Sequence, residues 1–409
     1  MIYSMIALPV LAVYILAAVI PAVILLRYVY RHDTVEKEPP GLLLSLLLMG
    51  VVAALASGIL ERIAQGVLGV LVRPGSLLHT VLLAFLVVAV VEEGMKFLLL
   101  KWRSWHHPAF NYRFDGIVYA VFAVSLNALC NPGDEVVVIA PFFPEYRVFA
   151  EQAGAVLRVV PADLRGFQID FSALEEILNP KTKAIIVNSP NNPTGALLSA
   201  ETLKKLCELL KSRSEAYGSP IFLLSDEPYR ELVYDATAEV PYLTNLYDHT
   251  LVCYSFSKSL SLPGERIGYI AVCNRMAEFG EVYAAVCGAG RALGFVCAPS
   301  MMQKLLPSVL GKTADVEVYR TNRDLLYGAL SAYGFSCVYP DGAFYLFVKS
   351  PVADASAFCE KAKEFELLLV PSDSFGCPGY VRISYCVSTE QIKRSLPAFE
   401  KLAKAYGLC

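Results

Sequence analysis

Beyond residue 180, three apolar runs each end in polar residues whose types could do chemistry. "AIIVNSPNNPTG" leaves its run through Asn191, Asn192, Pro193, Thr194 and Gly195. "IFLLSDEPYRELVY" ends its run on Asp226, with Tyr229 one helical turn later. "LVCYSFSKSLSLPGERIGY" passes through Ser255 and Ser257 to Lys258 and then reaches Arg266. Singly, each has a plainer reading. Asn-Pro-Thr-Gly makes a good turn, Asp226 could cap a helix, and Lys258 could be an ordinary surface lysine. Taken together they are more telling, because an amide, a carboxylate and an amine end three runs in the order that one cofactor requires.

That cofactor is pyridoxal 5'-phosphate. Its aldehyde condenses with an amine, which Lys258 can supply. Its ring withdraws electrons only while the ring nitrogen stays protonated, and a buried carboxylate such as Asp226 favours that state. The phenolic oxygen wants hydrogen-bond donors, for which Asn192 and Tyr229 are suited. The phosphate wants hydroxyls and a guanidinium, here Ser255, Ser257 and Arg266.

These residues need a scaffold that brings strand ends together. From residue 135 onward, runs such as "EVVVIA", "KAIIVNS", "IFLLSD" and "TLVCYSF" alternate with helical stretches such as "SAETLKKLCELLKSRSEAYG". Such alternation predicts a largely parallel sheet with helices packed on it, with ligands gathered at the carboxyl ends of the strands.

With "NNPTG", "SDEPY" and "SFSKSLSLPGERIGY" in view, residues 125–409 resemble the class I/II aminotransferases, the fold-type I pyridoxal phosphate enzymes. The resemblance implies an α/β large domain, an α+β small domain and a transaminase that uses an amino acid and a 2-oxo acid. It also implies that Lys258 carries the cofactor and then acts as general base. "APFFPEYRVFAEQAGA" looks like the family segment whose aromatic residue stacks on the cofactor ring, which points to Phe143. "GYVRISY" resembles the segment whose arginine grips the substrate carboxylate, so Arg382 takes that role, and "DGAFYLF" looks like the small-domain strand before it. Arg291, in "GAGRALGF", is a candidate dimer-loop residue, since family members are usually homodimers.

The front of the chain is of another kind. Residues 1–26 and 39–60 carry no charged side chain, and residues 74–91 carry only His79. Each run is about long enough, at roughly 20 residues, to cross a bilayer as a helix. The expectation is a multi-pass membrane segment of three spans, and residues 116–130 either add a fourth, partial one or stay out of the bilayer. Arg27, Arg31 and Lys37 follow the first run, and Lys101, Arg103 and Arg113 follow the third. By the positive-inside tendency those ends, and the aminotransferase part behind them, lie in the cytoplasm.

Glu92 and Glu93 sit within an apolar stretch with Lys96 one turn later, where ionisable groups are costly and either form an ion pair or do chemistry. "EEGMK" and "FNYRFDGIVYAVF" resemble the PrsW family of intramembrane metalloproteases, over roughly residues 1–126. In that family the following segment supplies a further glutamate, and a later span a histidine. Here the continuation is Asn127-Ala128-Leu129-Cys130, which leaves Glu92 and Glu93 as weak metal candidates; His106 and His107 lie in a polar loop. On this reading the protease half is incomplete and no metal site is expected.

The two resemblances meet at residues 121–126, as in a fusion of two reading frames. The expected domains are a membrane region at 1–120, a cofactor-binding large domain at 121–290 and a small domain at 291–409. By the resemblance, the join removes the large domain's first strand and its Gly/Ala-rich phosphate turn, whose place is taken by residues 117–120. Loss of two or three charge-assisted hydrogen bonds there would cost about 3–6 kcal/mol, or roughly a hundredfold to ten-thousandfold in cofactor affinity. The missing strand would also leave an unpaired sheet edge. Residues 1–120 hold nine basic and seven acidic side chains, leaving 26 and 31 for the rest. That mildly acidic remainder argues against nucleic acid as a partner. All 11 cysteines follow residue 129 without a metal-ligand spacing, as in a reducing compartment.

Overall fold

The computed structural model describes residues 40–73, 75–89, 91, 94, 95, 98, 116–235, 237, 238 and 240–409. The chain divides into two units, Met1–Phe114 and Asp115–Cys409.

In the first unit one long helix, α1 (Pro40–Leu71), contains the run expected at 39–60. The charge-free run ends at residue 60, but the helix does not: Glu61 and Arg62 lie inside it. A charged pair does not interrupt a helical ladder, and the break comes only ahead of Pro74, where the residue before proline is pushed out of the helical region. Within α1, Leu48–Leu71 is long and apolar enough to span a membrane, and it is the one such run among the described residues. Leu48, Val51, Ile59, Ile63, Val67 and Val70 are exposed along it. The run expected at 74–91 is a short helix, α2 (Leu77–Leu82), that continues as a π-helical turn, Leu83–Ala89. The run at 1–26 lies outside the described residues.

The second unit begins with α3 (Gly116–Leu129). Two readings were open for this helix, a partial membrane helix or a segment that stays out of the bilayer, and its described side chains favour the second. Phe122 and Leu126 are fully buried, and Val121, Ala123, Val124 and Leu129 nearly so, in the same core as Val136, Val138, Ile186 and Leu251. From residue 121 on, these apolar side chains cover a sheet.

That sheet consists of β1 (Glu135–Ile139), β2 (Val156–Val160), β3 (Thr182–Asn188), β4 (Phe222–Asp226), β5 (Thr250–Ser255) and β6 (Gly268–Val272). The order is β2-β1-β3-β4-β5-β6. Its first five strands are mutually parallel, whereas β6 runs antiparallel to β5 and forms an edge. The central strands read as unbroken apolar runs because both faces are covered. Val136 and Val138 pack against α3, α4 (Glu145–Gln152) and the helix Phe279–Ala292. Val137, Ile185 and Val187 point the other way, onto the helices Phe171–Ile177 and Ala200–Tyr217. This is the period-two alternation of a pleated strand.

A smaller antiparallel sheet has the order β7-β8-β10-β9, formed from β7 (Cys337–Val338), β8 (Tyr345–Lys349), β9 (Val370–Pro371) and β10 (Tyr380–Ser384). Its core, built on Leu346, Phe358, Tyr385 and Leu402, also takes in Tyr229 and Leu232 from the loop after β4.

Candidate active site

Parallel pairing in register brings the polar ends of β3, β4 and β5 side by side. Asn188 pairs with Asp226, and Asp226 with Cys253. Two residues past Cys253, Ser255 caps the short helix Phe256–Ser259, accepting from the Ser257 amide, and that helix carries Lys258.

The turn after β3 is organised from its own side chains. Asn191 accepts from the Thr194 hydroxyl at 2.8 Å and from its amide at 3.2 Å. Asn188 Oδ1 accepts from the Asn192 amide at 2.7 Å, while its Nδ2 donates to the Asp226 carbonyl at 3.0 Å. One buried amide therefore sets both Asn192 and Asp226. Gly195 has φ +72°, and its carbonyl accepts from the amides of Asp341 and Gly342, tying the turn to the loop ahead of β8. A Cβ at Gly195 would stand 2.6 Å from Pro340 Cβ and 2.8 Å from the Tyr345 carbonyl oxygen.

Asn192 Oδ1 accepts from Arg382 Nη1 at 2.9 Å, joining residues 190 positions apart. The Arg382 guanidinium lies 4.8 Å from the Tyr345 ring and 5.1 Å from the Phe375 ring, and its buried Nε has no hydrogen-bond partner among the described residues. Tyr229 and Tyr345 share a hydroxyl–hydroxyl bond of 2.9 Å. Phe344 packs edge-on against Tyr229, and Lys258 Nζ is 5.8 Å from the Phe344 ring centre.

Asp226 lies at the bottom of this cluster. Burial pushes its carboxyl up to about 7, opposed by a hydrogen bond donated by Tyr146; Glu227 pushes it further up and Lys258 pulls it down. Burial likewise raises the Tyr229 hydroxyl, reinforced by Tyr345. Phe143, half-buried, stands edge-on to Tyr146 with ring centres 5.6 Å apart. Lys258, Asp226, Tyr229, Asn192, Phe143 and Arg382 therefore converge.

The group expected at the phosphate is arranged differently. Ser255 and Ser257 are buried and hydrogen-bond each other at 2.7 Å. Arg266, with φ +53°, donates to the Pro263 carbonyl. It lines a groove of about 670 Å³ beside β6 together with Ala120, Tyr269 and Arg291. Residues 117–120 belong to α3 itself and not to a turn ahead of it. The Ala120 amide is consequently committed to the helical ladder.

Sequence reasoning did not assign Tyr146, Asn188 or Tyr345. "FFPEY" does place an aromatic one turn after Phe143, and "VNS" ends a strand on an amide, but neither pattern names a partner. Among the described residues, no group of three or more His, Cys, Asp or Glu is placed to hold a metal. Glu92, Glu93, Lys96, His106 and His107 lie outside the described residues.

The family model for aminotransferase class I and II matches residues 116–399. The chain belongs to that family. A crystal structure of an amino transferase from Eubacterium rectale is 57% identical with a TM-score of 0.69, over 71% of this chain and 73% of that one. A Thermotoga maritima aspartate aminotransferase structure is 31% identical with a TM-score of 0.63, over 71% and 75%. The aspartate/prephenate aminotransferase of Thermus thermophilus is 31% identical over 295 residues, 67% of this chain and 71% of the relative. A second model, PrsW family intramembrane metalloprotease, matches residues 38–125, so the two matches overlap at 116–125.

Class I/II aminotransferases use pyridoxal phosphate. In this aminotransferase the residues at the ring end fit that group. Asp226 is a buried acid with one donor on it and Lys258 facing it, which suits a cationic ring nitrogen. The unpartnered Arg382 Nε suits a substrate carboxylate. At the phosphate end Ser255 donates to Ser257, which leaves the Ser257 hydroxyl proton able to donate to a phosphate.

Proposed function

We propose that this chain is a membrane-anchored aminotransferase that moves an amino group between an L-amino acid and a 2-oxo acid, using pyridoxal phosphate attached to Lys258. The observation that carries the reading is the convergence of Lys258, buried Asp226 and the Asn192–Arg382 pair at the carboxyl ends of adjacent parallel strands. When bound, the cofactor supplies an electron sink for the bonds at the substrate α-carbon. Arg382 holds the substrate carboxylate through its planar fork, with Asn192 fixing one side of that fork. With the cofactor in place, the Lys258 amine would carry a proton between the substrate α-carbon and the cofactor C4′, the shift that turns an amino acid into a 2-oxo acid. Asp226 keeps a negative charge against the ring nitrogen. Tyr229 and Asn192 would hold the phenolic oxygen, and Phe143 would lie against the ring. Ser255, Ser257 and Arg266 would hold the phosphate.

The apolar run Leu48–Leu71 and the PrsW-family match support an anchor in a lipid bilayer, with the aminotransferase unit on the cytoplasmic side. The test is borohydride reduction of the purified chain with pyridoxal phosphate, followed by peptide mass spectrometry. Label confined to Lys258 and displaced by an amino acid supports the reading. Label spread over surface lysines, or none, overturns it.

A further inference from the structure

Tyr146 lies on α4, 80 residues before the acid it touches, and its ring is wedged between Phe122 and Phe143. The ring is 1% exposed, and its hydroxyl donates to Asp226 Oδ2. We propose that Tyr146 is a positioning residue for Asp226, whose hydroxyl keeps the carboxylate ionised and aimed so that a cationic ring nitrogen beside it retains its proton. The proposal rests on the cofactor reading above and deepens it.

The argument starts from the surroundings of the acid. Asp226 is faced by Tyr146 from α4, Cys253 from β5, Lys258 from the short helix after β5, and Glu227 and Tyr229 from its own loop. Tyr146 and Lys258 favour the anion; burial and Glu227 oppose it. In so dry a place an ion pair competes with its neutral counterpart, in which the proton has moved from the ring nitrogen to the carboxylate. The neutral pair leaves the ring a poorer acceptor of electrons. Donation from Tyr146 stabilises only the carboxylate form, because a protonated carboxyl gains less from an added donor. The backbone is held separately, by Asn188 on the Asp226 carbonyl. The tyrosine therefore acts on the charge and rotation of the side chain and not on the strand.

Tyr146→Phe removes the hydroxyl and keeps the ring contacts, and Tyr146→His restores a donor. Two readouts apply to the full chain in detergent. First, in the cofactor-free protein the carboxyl infrared band of Asp226, identified by its absence in Asp226→Asn, is titrated against pH. Tyr146→Phe is expected to make Asp226 about tenfold to a hundredfold weaker as an acid, one to two pH units, with recovery in Tyr146→His. Second, with ring-15N pyridoxal phosphate at neutral pH, the nitrogen resonance is expected to move from the protonated towards the neutral position in Tyr146→Phe and back in Tyr146→His. An Asp226 titration unchanged by Tyr146→Phe overturns the proposal, as does an unchanged 15N position in protein labelled at Lys258. If the parent chain is not labelled at Lys258, the cofactor reading fails, and the infrared titration still decides the role of Tyr146.

Discussion

Replacing Asp226 with asparagine removes a buried acid whose ionisation the fold opposes, and the consequence for stability follows from linkage. The carboxyl titrates near 3.8 when free and is pushed up to about 7 in the fold. A group whose proton affinity rises on folding stabilises the fold while it is protonated. That contribution is complete below the free value near 4 and is lost as pH rises through the folded value near 7. A displacement of roughly three units corresponds to about 4 kcal/mol, comparable to a large share of a domain's total stability. Asparagine accepts the Tyr146 hydrogen bond but never ionises. The cofactor-free parent is therefore expected to lose about 4 kcal/mol relative to Asp226→Asn between pH 4 and 8. The assay is urea unfolding at a series of pH values, followed by amide exchange of peptides from β3, β4 and β5. The difference between the two proteins cancels the other titrating groups. Parallel stability curves across this range would refute the reasoning, because they would mean that Asp226 is hydrated or paired in the fold.

Three further outcomes are expected. Arg382→Lys loses the planar fork and its bond to Asn192, so KM for an amino acid substrate rises about tenfold to a hundredfold; steady-state kinetics read it, and Lys258 labelling stays unchanged. Gly195→Ala forces a side chain into a positive-φ position already crowded by Pro340 and Tyr345, costing about 1–3 kcal/mol; calorimetry reads it as a drop of several degrees in Tm. Asn188→Ala leaves the buried Asn192 amide and Asp226 carbonyl without their partner. At about 1–3 kcal/mol each, the loss is largest at the ends of β3 and β4, and hydrogen exchange there should accelerate more than in β1.

Much of the large sheet is legible in the sequence. "EVVVI", "TKAIIVN", "FLLSD" and "TLVCYS" form β1, β3, β4 and β5. A strand covered on both faces needs a continuous apolar run, and little else produces one between turn signals. The membrane part was less legible. A gap between apolar runs at Glu61-Arg62 looks like a loop on a charge count, yet backbone hydrogen bonds of a helix do not depend on side-chain charge, and α1 passes through it. Residues 116–129 stayed undecided in the sequence for the opposite reason. An apolar helix reads alike whether lipid or a sheet covers it, and only the packing of Phe122 and Leu126 on β1, β3 and β5 distinguishes the two.

By itself the sequence determined which residue types end the strands. An amide, an acid and an amine stand after three buried runs, and their order along the chain is already that of Asn192, Asp226 and Lys258. Tertiary structure alone decided what each of them touches. Tyr146 reaches Asp226 across 80 residues and Arg382 reaches Asn192 across 190. It also turned Ser255 and Ser257 onto each other and placed Arg266 beside an edge strand. The reason is physical. Local spacing sets which way a side chain leaves its own strand or helix, whereas a hydrogen bond between distant segments depends on how those elements stack, and no local pattern encodes that.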